Sequence, residues 1–183
     1  MGTAETRDVL GAMRRVRQTR QYRPEPVPGD LVRELLEVAR WTGSSRNTQP
    51  WHFVVVTDRE QLRRLSQLRT PINWVAAAPL GIAIVLDGDN PMSEVYDEGR
   101  ATERLLIAAT HLGLRGGVAW FGDADQERQA KEILGVPQER LARSVVAIGY
   151  SDTSQDPRPN RVTGGRRPLA EVASYDRFDG RPA

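Results

Sequence analysis

Apolar positions along the chain change their spacing several times, and each change marks an element. Val9, Met13 and Val16 recur at helical spacing, which predicts a helix over 6–20. Pro24, Pro26 and Pro28 then stop it and impose an extended connection. Asp30 is placed to cap a second helix, apolar along Leu31, Leu35 and Val38 and ending near Gly43. The run at 53–56 reads as a buried strand. Asp58 and Gln61 have the spacing of a capping box for a short helix through Leu65 and Leu68, and 80–86 is a second buried strand. The longest helical pattern covers 93–112, with Thr102, Leu105, Leu106, Ala109 and Leu112 on its apolar side and Gly113 as its stop. A strand over 117–121, a helix over about 125–134 and a strand over 144–150 complete the regular part. Residues 151–183 are rich in proline, glycine and arginine and lack an apolar pattern of their own, so they are expected either to be disordered or to be held against another surface.

Alternating helices and strands suggest a doubly wound sheet by pattern alone. The glycine loops of that class are missing, however. The stretch GLRGG at 113–117 lies between a helix and a strand, the reverse of the order that a dinucleotide or phosphate-loop fingerprint requires.

Composition narrows the chemistry. A chain of 183 residues is sized for one domain. It has no cysteine, which excludes disulfides, thiolate nucleophiles and iron–sulfur clusters. Its two histidines, His52 and His111, are far apart and make poor material for a zinc site. Any redox chemistry must therefore come from a bound cofactor. No apolar signal core and no run of about 18 apolar residues is present, so a cytoplasmic protein without membrane contact is expected.

The formal charge is only +2, but the basic residues are almost all arginine and gather in RRVRQTRQYR (14–23) and GGRR (164–167). Such runs read as solvated surface by charge alone. A guanidinium fork also fits phosphates and heterocycle edges. Nucleic acid is disfavoured, because stacking aromatics are absent from the basic runs apart from Tyr22 and the net charge is small. A third polar cluster, Ser44, Ser45, Asn47 and Gln49, stands directly before Pro50, Trp51 and an apolar strand, with more hydrogen-bonding capacity than a turn needs.

Taken in order, Arg17-Gln18-Thr19-Arg20-Gln21-Tyr22 with Pro26-Val27-Pro28, then SSRNTQPWHFVVV, then LLIAATHLGLRGG, then GRRPLAEV, make a sequence that resembles the FMN-dependent nitroreductase family. The resemblance implies an α+β, three-layer fold with a central mixed or antiparallel sheet flanked by helices. It implies one domain over 1–183 and a homodimer, with 151–183 as a C-terminal extension packing on the partner subunit. It further implies bound FMN, NADH or NADPH as hydride donor, and a small oxidised acceptor such as a nitroaromatic or a quinone, reduced by a ping-pong mechanism. No catalytic side chain is expected.

The family's binding positions fall here on Arg17 at the phosphate, Gln18, and Arg20 at the ring edge, with the two arginines on one helix face. They also fall on Ser44, Ser45, Asn47 and Gln49, reaching the partner's flavin; on Gly117, whose backbone passes the reactive nitrogen; and on Arg166 and Arg167, closing over the phosphate. These groups suit a ligand with a phosphate, a hydroxylated chain and a ring edge of alternating acceptors and donor. The chain departs from the family pattern at Val16, Gln18 and Gly164. Trp51 and His111 read as core residues and His52 as structural or exposed. A flavin-storing or flavin-consuming relative without general reductase activity is the alternative.

Overall fold

Among the described residues, four strands, β1 (Trp51–Val56), β2 (Leu80–Leu86), β3 (Arg115–Trp120) and β4 (Ser144–Gly149), form one sheet in the order β1-β2-β4-β3, every neighbouring pair antiparallel. The computed structural model describes residues 4–152, 166–178 and 180–181. The chain divides into a unit Met1–Thr153 and a unit Ser154–Ala183. The elements of the first are α1 (Ala4–Arg15), α2 (Gly29–Arg40), β1 (Trp51–Val56), α3 (Arg59–Ser66), β2 (Leu80–Leu86), α4 (Pro91–His111), β3 (Arg115–Trp120), α5 (Ala124–Leu134) and β4 (Ser144–Gly149). The doubly wound reading of the pattern therefore gives way to an antiparallel sheet with helices on both faces.

The period of two along the central strands builds the three layers. In β2, Leu80, Ile82, Ile84 and Leu86 share one cluster with Leu35 and Ala39 of α2 and with Ala101, Leu105 and Ala109 of α4. Ala83 faces the other way, into a cluster with Leu62 and Leu65 of α3, Ile72, Val75, Phe121 and Ala130 of α5. β4 repeats the alternation, with Val146 and Ile148 on the first face and Val145 on the second. Every residue of β2 and β4 is buried. At about 1.5–3 kcal/mol for each large aliphatic side chain, these two strands are the main source of cohesion.

Local signals hold in part. Gly113, at φ 77°, ends α4, and Leu114 N–H returns to the Ala109 carbonyl at 2.8 Å. α4 itself starts earlier than its periodicity suggests, at Pro91, where the Asn90 side chain accepts from Ser93 N. Asp30 does not cap α2: the helix begins at Gly29 after Pro28, without a side-chain cap, and Asp30 lies in the first turn, where its charge suits the helix dipole. Asp58 does accept from Gln61 N at 2.7 Å, but the Gln61 amide turns to the Ile133 carbonyl, leaving half a capping box. Leu68 lies beyond the end of α3. A complete box occurs at α5, between Asp123 and Gln126.

A 3-10 stretch at Thr70–Ala77, not foreseen from the pattern, carries Ile72 and Val75 into the core. His111 is exposed in the last turn of α4, so the expectation of a core histidine is overturned; His52 is exposed as expected, and Trp51 packs partly buried against the first cluster. No helix among the described residues is long and apolar enough to cross a membrane.

Candidate active site

The most consequential departure from the sequence reading is at 16–22. Helix α1 stops at Arg15, and the chain then runs extended along the free edge of β3. Thr19 N donates to the Gly116 carbonyl at 2.9 Å, and the Gln18 side-chain oxygen accepts from Val118 N at 2.8 Å, so a side chain continues the ladder where the backbone leaves it. Farther on, Asp152 N donates to the Gln21 carbonyl and Arg23 N to Tyr150. The segment is thus stitched to β3 and then to the end of β4.

This geometry overturns the placement of Arg17 and Arg20 on one helix face. In an extended chain alternate residues share a side, so residues three apart do not. Arg17 turns back on α1, its Nη1 donating to the Arg14 and Val16 carbonyls at 2.7 and 2.6 Å, where a cation also meets the negative end of the helix. Arg20 behaves differently. It is exposed, and among the described residues it has neither a hydrogen bond nor an ion pair. What holds it is the Trp74 ring, whose centroid lies 5.9 Å from its guanidinium carbon.

Gly117 is required by the closeness of this docking. A Cβ there would lie 2.3 Å from the Thr19 carbonyl oxygen and 3.0 Å from the Trp74 ring. Tyr22 fastens the segment from below: its hydroxyl faces the Thr19 carbonyl at 2.7 Å and Ala147 at 3.0 Å. Burial pushes its phenol well above the ordinary range, against a smaller opposing effect of Arg20, so it remains a donor.

The loop before β1 has a different character. Arg46, Asn47 and Gln49 all adopt left-handed backbone, at φ 52°, 56° and 51°. Non-glycine residues rarely do so, and three within four positions need external support. Ser44 supplies it, its Oγ accepting from Gln49 N at 2.8 Å, while Asp87 N donates to the Pro50 carbonyl. Ser45, Asn47 and Gln49 are exposed, and among the described residues their side chains have no hydrogen-bond partner.

The two polar groups are far apart within one chain. Register places Val56, Gly81, Ala147 and Gly117 in one row across the sheet. The loop enters at Trp51, five residues away along β1, on the opposite edge of the sheet from β3. Roughly 17 Å along the strand and about 14 Å across three strand spacings put Trp51 about 22 Å from Gly117. The fold brings Gln18, Arg20 and Gly117 together and leaves Ser44, Ser45, Asn47 and Gln49 at the diagonal corner.

In the second unit, Arg167 pairs with Glu171 at 3.4 Å and donates to its carbonyl at 2.7 Å, and Arg166 is exposed. Gly164 lies outside the described residues, as does much of the expected extension over 151–183. No cluster of three or more His, Asp or Glu suited to a metal occurs among the described residues. Trp74 was missed by sequence reasoning. A single tryptophan in the stretch INWVAAAP has no local pattern that distinguishes it from a core aromatic.

Comparison with known proteins points the same way. Residues 13–87 match the nitroreductase family. A protein of Archaeoglobus fulgidus with the provisional name NADH dehydrogenase/NAD(P)H nitroreductase is 34% identical over 149 residues, covering 76% of this chain and 83% of its own. One of Methanothermobacter thermautotrophicus with the same name is 30% identical over 155 residues, covering 81% and 80%. Among solved structures, an FMN-dependent nitroreductase of Clostridium difficile superposes with a TM-score of 0.78 at 25% identity, over 92% of this chain and 99% of that one. With relatives matched over most of their length and a solved structure of the same overall fold, the chain belongs to the nitroreductase family.

Proposed function

We propose that the protein is an FMN-dependent oxidoreductase that takes hydride from NADH or NADPH and reduces a small oxidised acceptor, a nitroaromatic, a quinone or a similar compound, in two separate half-reactions. The observation that carries this reading is Arg20. A cation with no hydrogen bond or ion pair among the described residues, resting on an aromatic ring beside a strand edge that tolerates no side chain at Gly117, suits the carbonyl edge of a flat heterocycle. When bound, FMN supplies the hydride chemistry, and the protein supplies position and charge.

The residues present fit that group. Arg20 would place positive charge at the pyrimidine edge of bound FMN, where it would favour the reduced, anionic ring. Gln18, its oxygen engaged by Val118, keeps its amide N–H donors for the ligand. Gly117 admits the Thr19 carbonyl and the Trp74 ring against β3, and its own backbone is assigned beside the reactive end of the ring. No side chain is needed as acid or base. Arg17 and the Arg166–Arg167 pair are assigned to the phosphate, although Arg17 also serves the end of α1.

A homodimer completes the reading. Ser44, Ser45, Asn47 and Gln49 precede Trp51, itself about 22 Å from Gly117 in the same chain, so the exposed Ser45, Asn47 and Gln49 side chains, on a loop fixed by Ser44, serve the flavin of a second copy. Residues 1–183 act as one functional domain, with 151–183 as an extension on the partner.

The test is direct. Purified protein should retain FMN through desalting, show flavin absorption, oxidise NAD(P)H with a nitroaromatic or quinone present, and scatter light at twice the mass of the chain. A protein that binds no FMN refutes the reading. One that holds FMN without steady NAD(P)H oxidation belongs with flavin-storing or flavin-consuming relatives, and a monomer that retains FMN refutes the shared site.

A further inference from the structure

Arg20 raises a question that the flavin reading leaves open. An exposed arginine with no hydrogen bond and no ion pair among the described residues has many rotamers, and confining it to one costs up to about 2 kcal/mol of side-chain entropy. A ligand that had to impose that order would bind correspondingly more weakly. The structure contains a device that imposes it beforehand.

Trp74 is fixed on three sides. Its indole N–H donates to the Pro71 carbonyl at 3.0 Å, closing the 3-10 turn that carries it. Its six-membered ring lies against the bare Cα of Gly117, close enough that a Cβ would be 3.0 Å from one ring carbon and 3.2 Å from the next. The Tyr22 ring stands 6.4 Å away, centroid to centroid, at 36°. The Arg20 guanidinium occupies the remaining approach, 5.9 Å from the ring centroid. Strand β3, the 3-10 turn and the 17–22 segment therefore converge on this one side chain, and the cation rests on a ring held by contacts from all three.

We propose that Trp74 is a positioning residue for flavin binding: it holds the Arg20 guanidinium at the pyrimidine end of the ring and acts through Arg20. The inference rests on the FMN reading above and adds to it a residue outside the set assigned to the cofactor. A ring face suits this task better than a carboxylate. A carboxylate would also orient the guanidinium, but it would occupy its donors and cancel its charge, whereas an aromatic face attracts the cation and leaves the N–H groups at the rim free for a ligand.

The experiment compares wild type with Trp74→Leu, Trp74→Phe, Arg20→Ala and the Arg20→Ala/Trp74→Leu double variant. Each is titrated with FMN and with riboflavin by fluorescence quenching, and the midpoint potential of bound FMN is measured. Loss of the cation–π contact should weaken both flavins by the same factor, about threefold to thirtyfold, because the effect lies at the ring and not at the phosphate. Trp74→Phe should retain most of the affinity. Trp74→Leu should also lower the midpoint potential, as Arg20→Ala does, and the double variant should lose no more than Arg20→Ala alone. A merely structural tryptophan predicts something else: additive losses in the double variant, or unchanged affinity and potential. Either result overturns the inference while leaving the flavin reading intact. If Trp74→Leu fails to fold, Trp74→Phe in wild-type and Arg20→Ala backgrounds carries the same comparison with smaller losses. Wild-type protein that binds neither flavin overturns the FMN reading, and the inference with it.

Discussion

Gly117→Ala tests the docking of the 17–22 segment on β3, because two neighbouring glycines on one strand allow a controlled comparison. At Gly117 the added carbon would sit 2.3 Å from the Thr19 carbonyl oxygen, about 1 Å inside an ordinary carbon–oxygen contact. The obstacle is backbone and cannot rotate away, so the segment must move. That displacement strains the Thr19 N–H to Gly116 bond and the Val118 N–H to Gln18 bond together. Overpacking costs about 1–3 kcal/mol and a strained hydrogen bond about 1 kcal/mol, against a gain of about 0.4–1 kcal/mol from restricting the unfolded chain. A net destabilisation of roughly 1–3 kcal/mol follows, with about a tenfold loss of FMN affinity as Arg20 moves with the segment. At Gly116 the nearest atom is a Leu106 methyl at 2.7 Å, the end of a flexible side chain, so Gly116→Ala should cost less than about 1 kcal/mol. Urea unfolding and flavin titration of the two variants decide the matter. If Gly117→Ala is as stable as wild type with unchanged affinity, or if Gly116→Ala is the worse of the two, the segment is not seated on β3 as described.

Three further predictions address separate parts of the molecule. Arg20→Ala should weaken FMN and riboflavin alike, by about one to two decades, with little change in the unfolding temperature of the flavin-free protein; a loss confined to FMN would place Arg20 at the phosphate. Ser44→Ala removes the acceptor for Gln49 N and should relax the left-handed loop, lowering FMN affinity severalfold at a stability cost of about 1 kcal/mol, and unchanged flavin binding would show that loop geometry does not matter to the ligand. Burial raises the Glu98 carboxyl above its ordinary pKa, against the Ser144 hydroxyl and Arg143, so the folded state binds this proton more readily than the unfolded chain does. Wild-type stability relative to Glu98→Gln should therefore fall as pH rises from the ordinary carboxylate value through the folded one, and a difference that is flat or opposite in sign across that window would refute the assignment.

The sequence pattern located the sheet well and its attachments less well. Runs such as LGIAIVL and SVVAIG were legible because strands buried on both faces carry no competing signal. The end of α1 was not. Val16 keeps the helical spacing, and only the free edge of β3, formed by residues a hundred positions later, draws the chain out of the helix. The same long-range contact separates Arg17 from Arg20, which local spacing places together. Asp30 has the composition of a cap but lies two residues past Pro28 and is not the cap, whereas Asp123 and Gln126 make a full box. The polar cluster at 44–49 was visible from its composition, but its backbone was not, since asparagine alone among Arg46, Asn47 and Gln49 is a common left-handed residue.

Strain and register together explain why that loop has its shape. Left-handed backbone at three non-glycine positions costs of order 1–3 kcal/mol each, more than the Ser44 and Asp87 hydrogen bonds return at about 1 kcal/mol apiece. What the strained form provides is presentation: the Ser45, Asn47 and Gln49 side chains stand in solvent with no hydrogen-bond partner among the described residues, at the corner of the sheet diagonal to Arg20 and Gly117. A single chain thus carries two sets of polar groups, one built on the edge of β3 and one on the entrance to β1, where Trp51 lies about 22 Å from Gly117. In the homodimer proposed above, a two-fold axis would bring each set opposite the other's complement and make two equivalent sites, which would account for both the strain and the exposed polar side chains.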